Sequence, residues 1–414
     1  MNNLHRSETL QLLQSGQQYF PALIRAIDGA AAWVQMETYI FDLHLAGGQV
    51  AEALVRAALR GVRVEVLVDG IGSDPLPPAW QQKMKDAGVG WLVYSPLASG
   101  LGGLGLLVPD RWRRLHRKLC VVDQRTVFCG GINVLDDFYD PNHGELTSPR
   151  FDFAVAVTGP LAAEAAEAMA LLWWRVQAGY SARQNHLAAA WEKFKAAGYG
   201  RRTDAAGLSV KTSPAEPGAA PLPGAKAVLV LRDNLRNRSS IEKVYRQAIG
   251  KAHHEILIAN AYFVPGGKLR RALVKAARRG VRVTLLLQGR YEYFMQYHAA
   301  RPVYGALLEA GVEIHEYEAS FLHAKVAVID GHWATVGSSN LDPLSLLLAH
   351  EANVVIEDKV FAGELRDSLC AAIAGHGRLL DPVAYSQRPW GQRILDHVAH
   401  ALMRLAIFIT GQRY

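Results

Sequence analysis

Cysteine is scarce in this 414-residue chain: Cys120, Cys129 and Cys370 are the only three, with no C-x-x-C pair. So few, and an odd number, exclude a disulfide-built scaffold and a cysteine zinc site, and fit a reducing compartment. Long apolar runs are missing as well. No stretch of about 18 uncharged apolar residues occurs, which excludes a chain that crosses a membrane repeatedly. Residues 1–20 hold no apolar h-region and no small-residue cleavage site, so a secretory signal is not expected. Acidic residues are outnumbered, 38 Asp+Glu against 45 Lys+Arg, a net charge of +7. That excess favours an anionic partner: a phospholipid surface, nucleic acid or a phosphorylated substrate. Apolar residues are plentiful at 50%, with 20% charged. A sizeable core is therefore expected and wholesale disorder is excluded. The length suggests two or three domains or one large α/β unit.

The chain repeats itself. Residues 54–70 read LVRAALRGVRVEVLVDG and residues 273–289 read LVKAARRGVRVTLLLQG, identical at 11 of 17 positions without a gap. Each is an Ala/Leu helix, a glycine (Gly61, Gly280) where a helix C-cap belongs, and an apolar strand. A further strand precedes each: WVQMETYIF ending at Phe41 and EILIANAYF ending at Phe263. A repeated β-α-β unit predicts an α/β fold of two homologous lobes, each a mixed, mostly parallel sheet flanked by helices, related by a pseudo-two-fold axis. The expected boundaries are a first lobe at 1–200, a Pro/Ala/Gly-rich linker at 201–226, a second lobe at 227–385 and an amphipathic tail at 386–414. Residues 162–184 and 187–194 read as helical.

A second repeat carries chemistry. His116-Arg117-Lys118 is followed after four residues by Asp123, and His323-Ala324-Lys325 by Asp330. Both read H-x-K-x4-D, and each has a glycine seven residues past its Asp: Gly130-Gly131-Ile132-Asn133 and Gly337-Ser338-Ser339-Asn340. The two are offset by the same 207 residues. One match is expected on the order of 0.02 times in a chain this long, so two in register are not accidental. LCVV and VAVI read as buried strands, on which i and i+2 face one side. Each His and Lys therefore project together while the residue between points away. Two His (His116, His323), two Lys (Lys118, Lys325) and two Asn (Asn133, Asn340) would converge in a cationic pocket rich in donors. Such a pocket suits an anion with charge spread over non-bridging oxygens, as in a phosphodiester. Asp123 and Asp330 complete the catalytic motif, their expected part being to fix the turn or a nearby lysine. A metal is not expected, because H-x-K supplies a competing cation where a second ligand would stand. His397 and His400, near Asp396, fit a solvated helix face.

The duplicated H-x-K-x4-D with its G-G/S-x-N tail resembles the phospholipase D superfamily over essentially the whole chain. NAYFVPG (260–266), DGHWATVGSSNLDPLSL (330–346) and EANVVI (351–356) resemble bacterial cardiolipin synthases. The compact length and LVLRDN (229–234) are most similar to the B type. The resemblance implies phosphatidyl transfer without cofactor or metal. One neutral His, by family order His116, attacks phosphorus to form a phosphohistidine, and His323 serves as acid and base. It further implies that Lys118, Lys325, Asn133 and Asn340 hold the phosphoryl oxygens. An acidic residue beyond each motif would orient a His: Asp152 in RFDFAV and Glu351 in HEANVV. Gly131 departs from Ser338 in the other half. The implied substrate is an anionic phospholipid, with phosphatidylglycerol as donor and acceptor and phosphatidylethanolamine as an alternative donor. Glycerol would be released, and no nucleic-acid partner is expected. A phospholipase D-type hydrolase or a nuclease would use the same residues.

A lipid substrate should leave further marks. Residues 99–108 read SGLGGLGLLV, followed by Arg111-Trp112-Arg113-Arg114: an apolar loop beside a basic-aromatic cluster just before His116. Leu104, Leu106 and Leu107 are expected to dip among acyl chains. In the tail, Trp390, Ile394, Leu395, Val398, Leu402, Leu405 and Phe408 recur at helical spacing among Arg388, Arg393, Arg404 and Arg413. This stripe is too short to span, and either packs on the body or lies in a membrane interface. The expected location is peripheral, on the cytoplasmic face of a bacterial inner membrane.

Overall fold

The structure, a computed structural model, describes residues 5–6, 9–96, 113–141, 143–183, 225–233, 237, 239–290, 294–347 and 349–409. The apolar loop at 99–108 with Arg111 and Trp112, the segment 187–194 and the Pro-rich stretch 201–224 lie outside the described residues.

The two halves run through the same series of elements. In the first they are β1 (Thr9–Gln14), α1 (Ser15–Asp28), β2 (Trp33–Thr38), α2 (Ala46–Leu59), β3 (Arg63–Asp69), α3 (Pro78–Ala87), β4 (Gly90–Tyr94), β5 (Leu119–Val122), β6 (Thr126–Gly130), β7 (Phe153–Thr158) and α4 (Pro160–Arg183). In the second they are β8 (Lys226–Arg232), α5 (Ser240–Lys251), β9 (Glu255–Asn260), α6 (Gly267–Arg278), β10 (Arg282–Gln288), α7 (Phe294–Leu308), β11 (Glu313–Tyr317), β12 (Lys325–Ile329), β13 (Trp333–Gly337), β14 (Ala349–Glu357) and α8 (Lys359–His376). One further long helix, α9 (Trp390–Ile409), follows. Seven strands of each sheet match in order, β1-β7-β6-β5-β2-β3-β4 and β8-β14-β13-β12-β9-β10-β11, and the second sheet is extended by His5–Arg6 beside β8 and Gly377–Leu379 beside β11.

Both lobes are mixed α/β, as the repeat predicts, but with less parallel pairing than it suggests. Within each lobe's seven-strand series, the parallel pairs are those of β2-β3-β4 and β9-β10-β11, where the crossover helices of the β-α-β unit force them. β5 and β6, like β12 and β13, are joined by tight turns, and β5 and β12 pair antiparallel with both their sheet neighbours. The helices of the repeat end where expected, with Gly61 at φ +89 and Gly280 at φ +88, a left-handed conformation that glycine adopts without strain.

Alternation along each motif strand divides the core. Leu119 and Val121 of β5, like Val326 and Val328 of β12, join one apolar cluster shared by both sheets, α4 and α8. Cys120 and Val122 turn to the outer core of the first lobe under α1 and α2. Ala327 and Ile329 turn to that of the second, under α5, α6 and α7. The sheets thus face one another across a common core, with the remaining helices outside. Short strands stitch the lobes together. His5–Arg6 pairs with Lys226–Ala227, and Arg114–Leu115 pairs with Ala349–His350.

Candidate active site

Each H-x-K motif sits at the entrance of a strand, at the lobe junction. His116, Arg117 and Lys118 immediately precede β5; His323 and Ala324 immediately precede β12, which Lys325 opens. Here the backbone is held by the other lobe. The His116 amide donates to the His350 carbonyl at 3.0 Å, and the His323 amide to the Phe151 carbonyl at 2.9 Å. The residue between His and Lys turns to the shared core, as the strand period predicts. Ala324 is fully buried, and Arg117 reaches buried Glu37, 3.6 Å away.

The side chains cross over in the same way. His116 Nδ1 lies 3.0 Å from a carboxylate oxygen of Glu351, a residue of the second lobe. His323 Nδ1 lies 2.6 Å from Asp152 Oδ2, in the first lobe. Each lobe supplies the histidine of one pair and the carboxylate of the other. Both carboxylates are buried, whereas the histidine side chains keep 15% and 16% of their surface exposed. With Nδ1 facing a carboxylate, Nε2 is the nitrogen left for a substrate.

The carboxylates are themselves fixed. The Phe153 amide donates to Asp152 Oδ1 at 2.8 Å. The Ser338 hydroxyl donates to Glu351 Oε2, and in turn accepts from the Ala352 amide at 3.0 Å. Gly131, at the position matching Ser338, has no room for a side chain: a Cβ there would meet Asp152 Oδ1 at 2.3 Å. The lysines are buried too. Lys118 Nζ donates to the His116 carbonyl at 2.9 Å and lies 5.4 Å from the Tyr39 ring centre. Lys325 Nζ lies 2.6 Å from His323 Nδ1 and 3.8 Å from Asp152. Asn133 and Asn340 lie just beyond β6 and β13. Asn133 Oδ1 accepts from the Ile40 amide at 3.2 Å, which turns its NH2 away from that bond. Asn340 Nδ2 reaches Ser345 Oγ at 3.4 Å.

Charge is concentrated here against its solvation preference, and the proton affinities follow. Burial holds His116 below its usual value, with Glu351 opposing and Lys118 and Lys325 adding to the depression. Burial holds His323 well below the usual range, reinforced by Lys325, Lys118 and Arg150. Burial lowers Lys118 to about 7. Burial raises Asp152 to about 6, although Lys325 pulls the other way. Cations crowded in a buried cleft are the condition under which an anion binds strongly.

Asp123 and Asp330 stand apart from this cluster, at the far ends of β5 and β12. Asp123 accepts from the amides of Ala31, Ala32 and Trp33, each at 2.8 Å. Asp330 accepts from His253, His254 and Glu255 at 2.8–2.9 Å. Burial would raise Asp330, but these three amides hold it below the usual range. Both residues have positive φ and clamp the motif turn to the start of β2 or β9. They are turn anchors and touch neither histidine.

Two features escape sequence reading. One is the exchange of carboxylates between lobes, which only the tertiary fold can make. The other is Arg150, buried with its guanidinium on Asp140 at 3.0 Å, which adds positive charge on the His323 side. Its place two residues before Asp152 was the available signal. Among the described residues, no group of three or more His, Cys, Asp or Glu could hold a metal ion.

A family model described as cardiolipin synthase, PLD-like domain, matches residues 23–144 and again 245–371, one match for each lobe. Cardiolipin synthase B of Shigella flexneri is 37% identical over 392 residues, covering 92% of this chain and 84% of that protein. Cardiolipin synthase A of Cronobacter sakazakii is 29% identical over 400 residues, covering 95% and 74%. Among solved structures, phosphatidylserine synthase of Haemophilus influenzae Rd KW20 superposes with a TM-score of 0.67 at 14% identity, covering 99% of this chain and 97% of that one. This last likeness is one of fold.

Proposed function

The chain belongs to the cardiolipin synthase family with phospholipase D-like domains, phosphatidyltransferases by class, and from that premise we propose that it makes cardiolipin from two molecules of phosphatidylglycerol. The observation that carries this reading is the reciprocal exchange of carboxylates, which gathers two oriented histidines and two buried lysines at one junction. In the proposed reaction, His116 Nε2 forms a bond to phosphorus as the P–O bond to the headgroup glycerol breaks. His323 gives its proton to the departing oxygen. The hydroxyl of a second phosphatidylglycerol then returns a proton to His323, bonds to phosphorus and displaces His116. Lys118, Lys325, Asn133 and Asn340 hold the non-bridging oxygens. The cations that keep His323 neutral in the free site are those a phosphodiester would pair with, so substrate binding restores its hold on a proton.

The test is incubation of the purified protein with phosphatidylglycerol vesicles, with lipids resolved by mass spectrometry. Cardiolipin and glycerol are expected, lowered about 10³-fold or more in His116→Ala and in His323→Ala. Phosphatidic acid as the main product would replace this reading with hydrolysis. Rapid quenching followed by peptide mapping should find a phosphatidyl group on His116. A phosphatidyl group on His323 would reverse the two roles.

A further inference from the structure

Helix α9 is attached to the body by its less apolar side. Asp396, Ala399 and Met403 are buried and His400 is half-buried. Asp396 meets His298 Nδ1 at 2.7 Å and Arg388 at 3.0 Å, and His400 Nδ1 lies 2.9 Å from the Ala299 carbonyl. His400 is thus a docking contact, not part of a solvated face. Trp390, Ile394, Leu395, Val398, Leu402 and Leu405 point outward, 39% to 78% exposed. They are six of the fourteen large hydrophobics exposed among the described residues, gathered on one helix. At about 100° per residue they fill an arc of about 140°, the buried residues fall opposite, and Arg393, His397 and Arg404 line one edge. This is the reverse of an ordinary surface helix, and in water it leaves the larger apolar face uncovered.

We propose that α9 lies flat in the surface of an anionic phospholipid membrane, with its Trp390–Leu405 face among the acyl chains and Arg393 and Arg404 at headgroup level. The charges choose this occupant. Asp396, the single acidic residue of α9, is buried on the body, so every exposed charge on the helix is a cation. The same face of a second copy would offer these arginines no anionic partner, whereas an anionic surface neutralises them. No helix among the described residues is long and apolar enough to cross a membrane, so α9 lies in the plane. Its orientation also suits the substrate. Helix α7 starts beyond the C-terminal end of β10, beside the end of β9 that pairs with Lys325. His298 and Ala299 of α7 meet residues 396–400, and Tyr385, before α9, bonds Arg301 farther along α7. The helices are therefore antiparallel, and the C-terminal half of α9 approaches the catalytic end. The choice of lipid over another apolar partner rests on the proposed function.

The test uses the full chain and vesicles of phosphatidylcholine with phosphatidylserine, so that binding is read apart from cardiolipin synthesis. The wild type should float with these vesicles, and lipids brominated in the acyl chain should quench fluorescence that Trp390→Phe removes. Ile394→Gln/Val398→Gln/Leu402→Gln/Leu405→Gln should weaken flotation at least tenfold while keeping wild-type turnover of phosphatidylglycerol in detergent micelles. That turnover shows that the variant folds. Arg393→Gln/Arg404→Gln should remove the dependence on phosphatidylserine content. Unchanged flotation of the quadruple variant, or unquenched Trp390, would overturn the proposal. So would a wild-type dimer that the quadruple variant turns into a monomer without lipid. Binding to phosphatidylserine vesicles without cardiolipin synthesis would leave the membrane helix standing and remove the proposed reaction instead.

Discussion

The two lobes share one chain path, strand for strand, yet their halves of the active site are not equivalent. His116 is held by Glu351, whose longer side chain is met by the Ser338 hydroxyl. His323 is held by Asp152, whose shorter side chain closes against Gly131 and has Lys325 beside it. Each lysine donates to the carbonyl of its own histidine, but Lys325 also approaches His323 Nδ1 at 2.6 Å, whereas Lys118 lies beside the Tyr39 ring. Duplication supplies the geometry. The neighbours then make the two histidines unequal, with His323 held neutral more firmly in the free site, so that a part as acid would depend on substrate oxygens pairing with Lys325 and Lys118.

Removing the carboxylates should expose that inequality most strongly. Asp152→Asn is expected to lower kcat/KM on the order of 10³-fold, because it releases His323 and takes a buried anion from beside Lys325. Glu351→Gln should cost on the order of 10²-fold, since Ser338 keeps an acceptor. Equal losses would mean that the two pairs are interchangeable. The pH profile sharpens the comparison. As pH falls through about 6, Asp152 gains a proton and its hold on His323 is lost. As pH rises through about 7, Lys118 loses its charge and its grip on phosphoryl oxygens. For the free enzyme, kcat/KM should therefore fall on both sides of this narrow window, and Lys118→Arg should move the alkaline limb upward. An alkaline limb that stays in place would assign it to another group.

A second contrast lies behind the motif. The first lobe buries an ion pair, Glu37 with Arg117, at the shared core; the matching residues of the second lobe are Ala259 and Ala324. Burial pushes Glu37 up to about 7 against the pull of Arg117. Glu37→Ala or Arg117→Ala alone should destabilise the fold by about 3 kcal/mol, because each leaves a buried charge behind. The double variant, which copies the second lobe, should cost about 2 kcal/mol less than the sum of the two. Denaturant melts of the four proteins measure this, and simple additivity would show that the pair is not coupled.

Much of this organisation is legible in the sequence, because duplication writes each message twice. The repeat at 54–70 and 273–289 gives the β-α-β units, and the 207-residue offset gives the paired motifs. What the sequence conceals is non-local. Nothing in RFDFAV or HEANVV says that Asp152 serves the histidine of the other lobe, since that depends on how the sheets face each other. The balance of strand directions departs from the sequence expectation for a related reason. The β-α-β signal is strong and local, whereas the antiparallel run through β5, β6 and β7 is joined by turns and loops with weaker signatures. The tail showed its period but not its direction. Only the clamp on Asp396 reveals that the apolar stripe faces outward.

The smallest effect should come from making the halves more alike. Ser338→Gly copies Gly131 and removes the hydroxyl that donates to Glu351 and accepts from Ala352. A hydrogen bond to a charged group contributes about 1.5 kcal/mol, so activity should fall roughly tenfold, with the loss in kcat and little change in KM. Ser338→Thr, which keeps the hydroxyl, should recover part of the loss. The reverse exchange is closed to this fold, since a Cβ on Gly131 would overlap the Asp152 carboxylate. If Ser338→Gly kept full activity while Glu351→Gln did not, Glu351 would be held by its own burial and by His116, and the serine would be a difference between the lobes without a part in orienting His116.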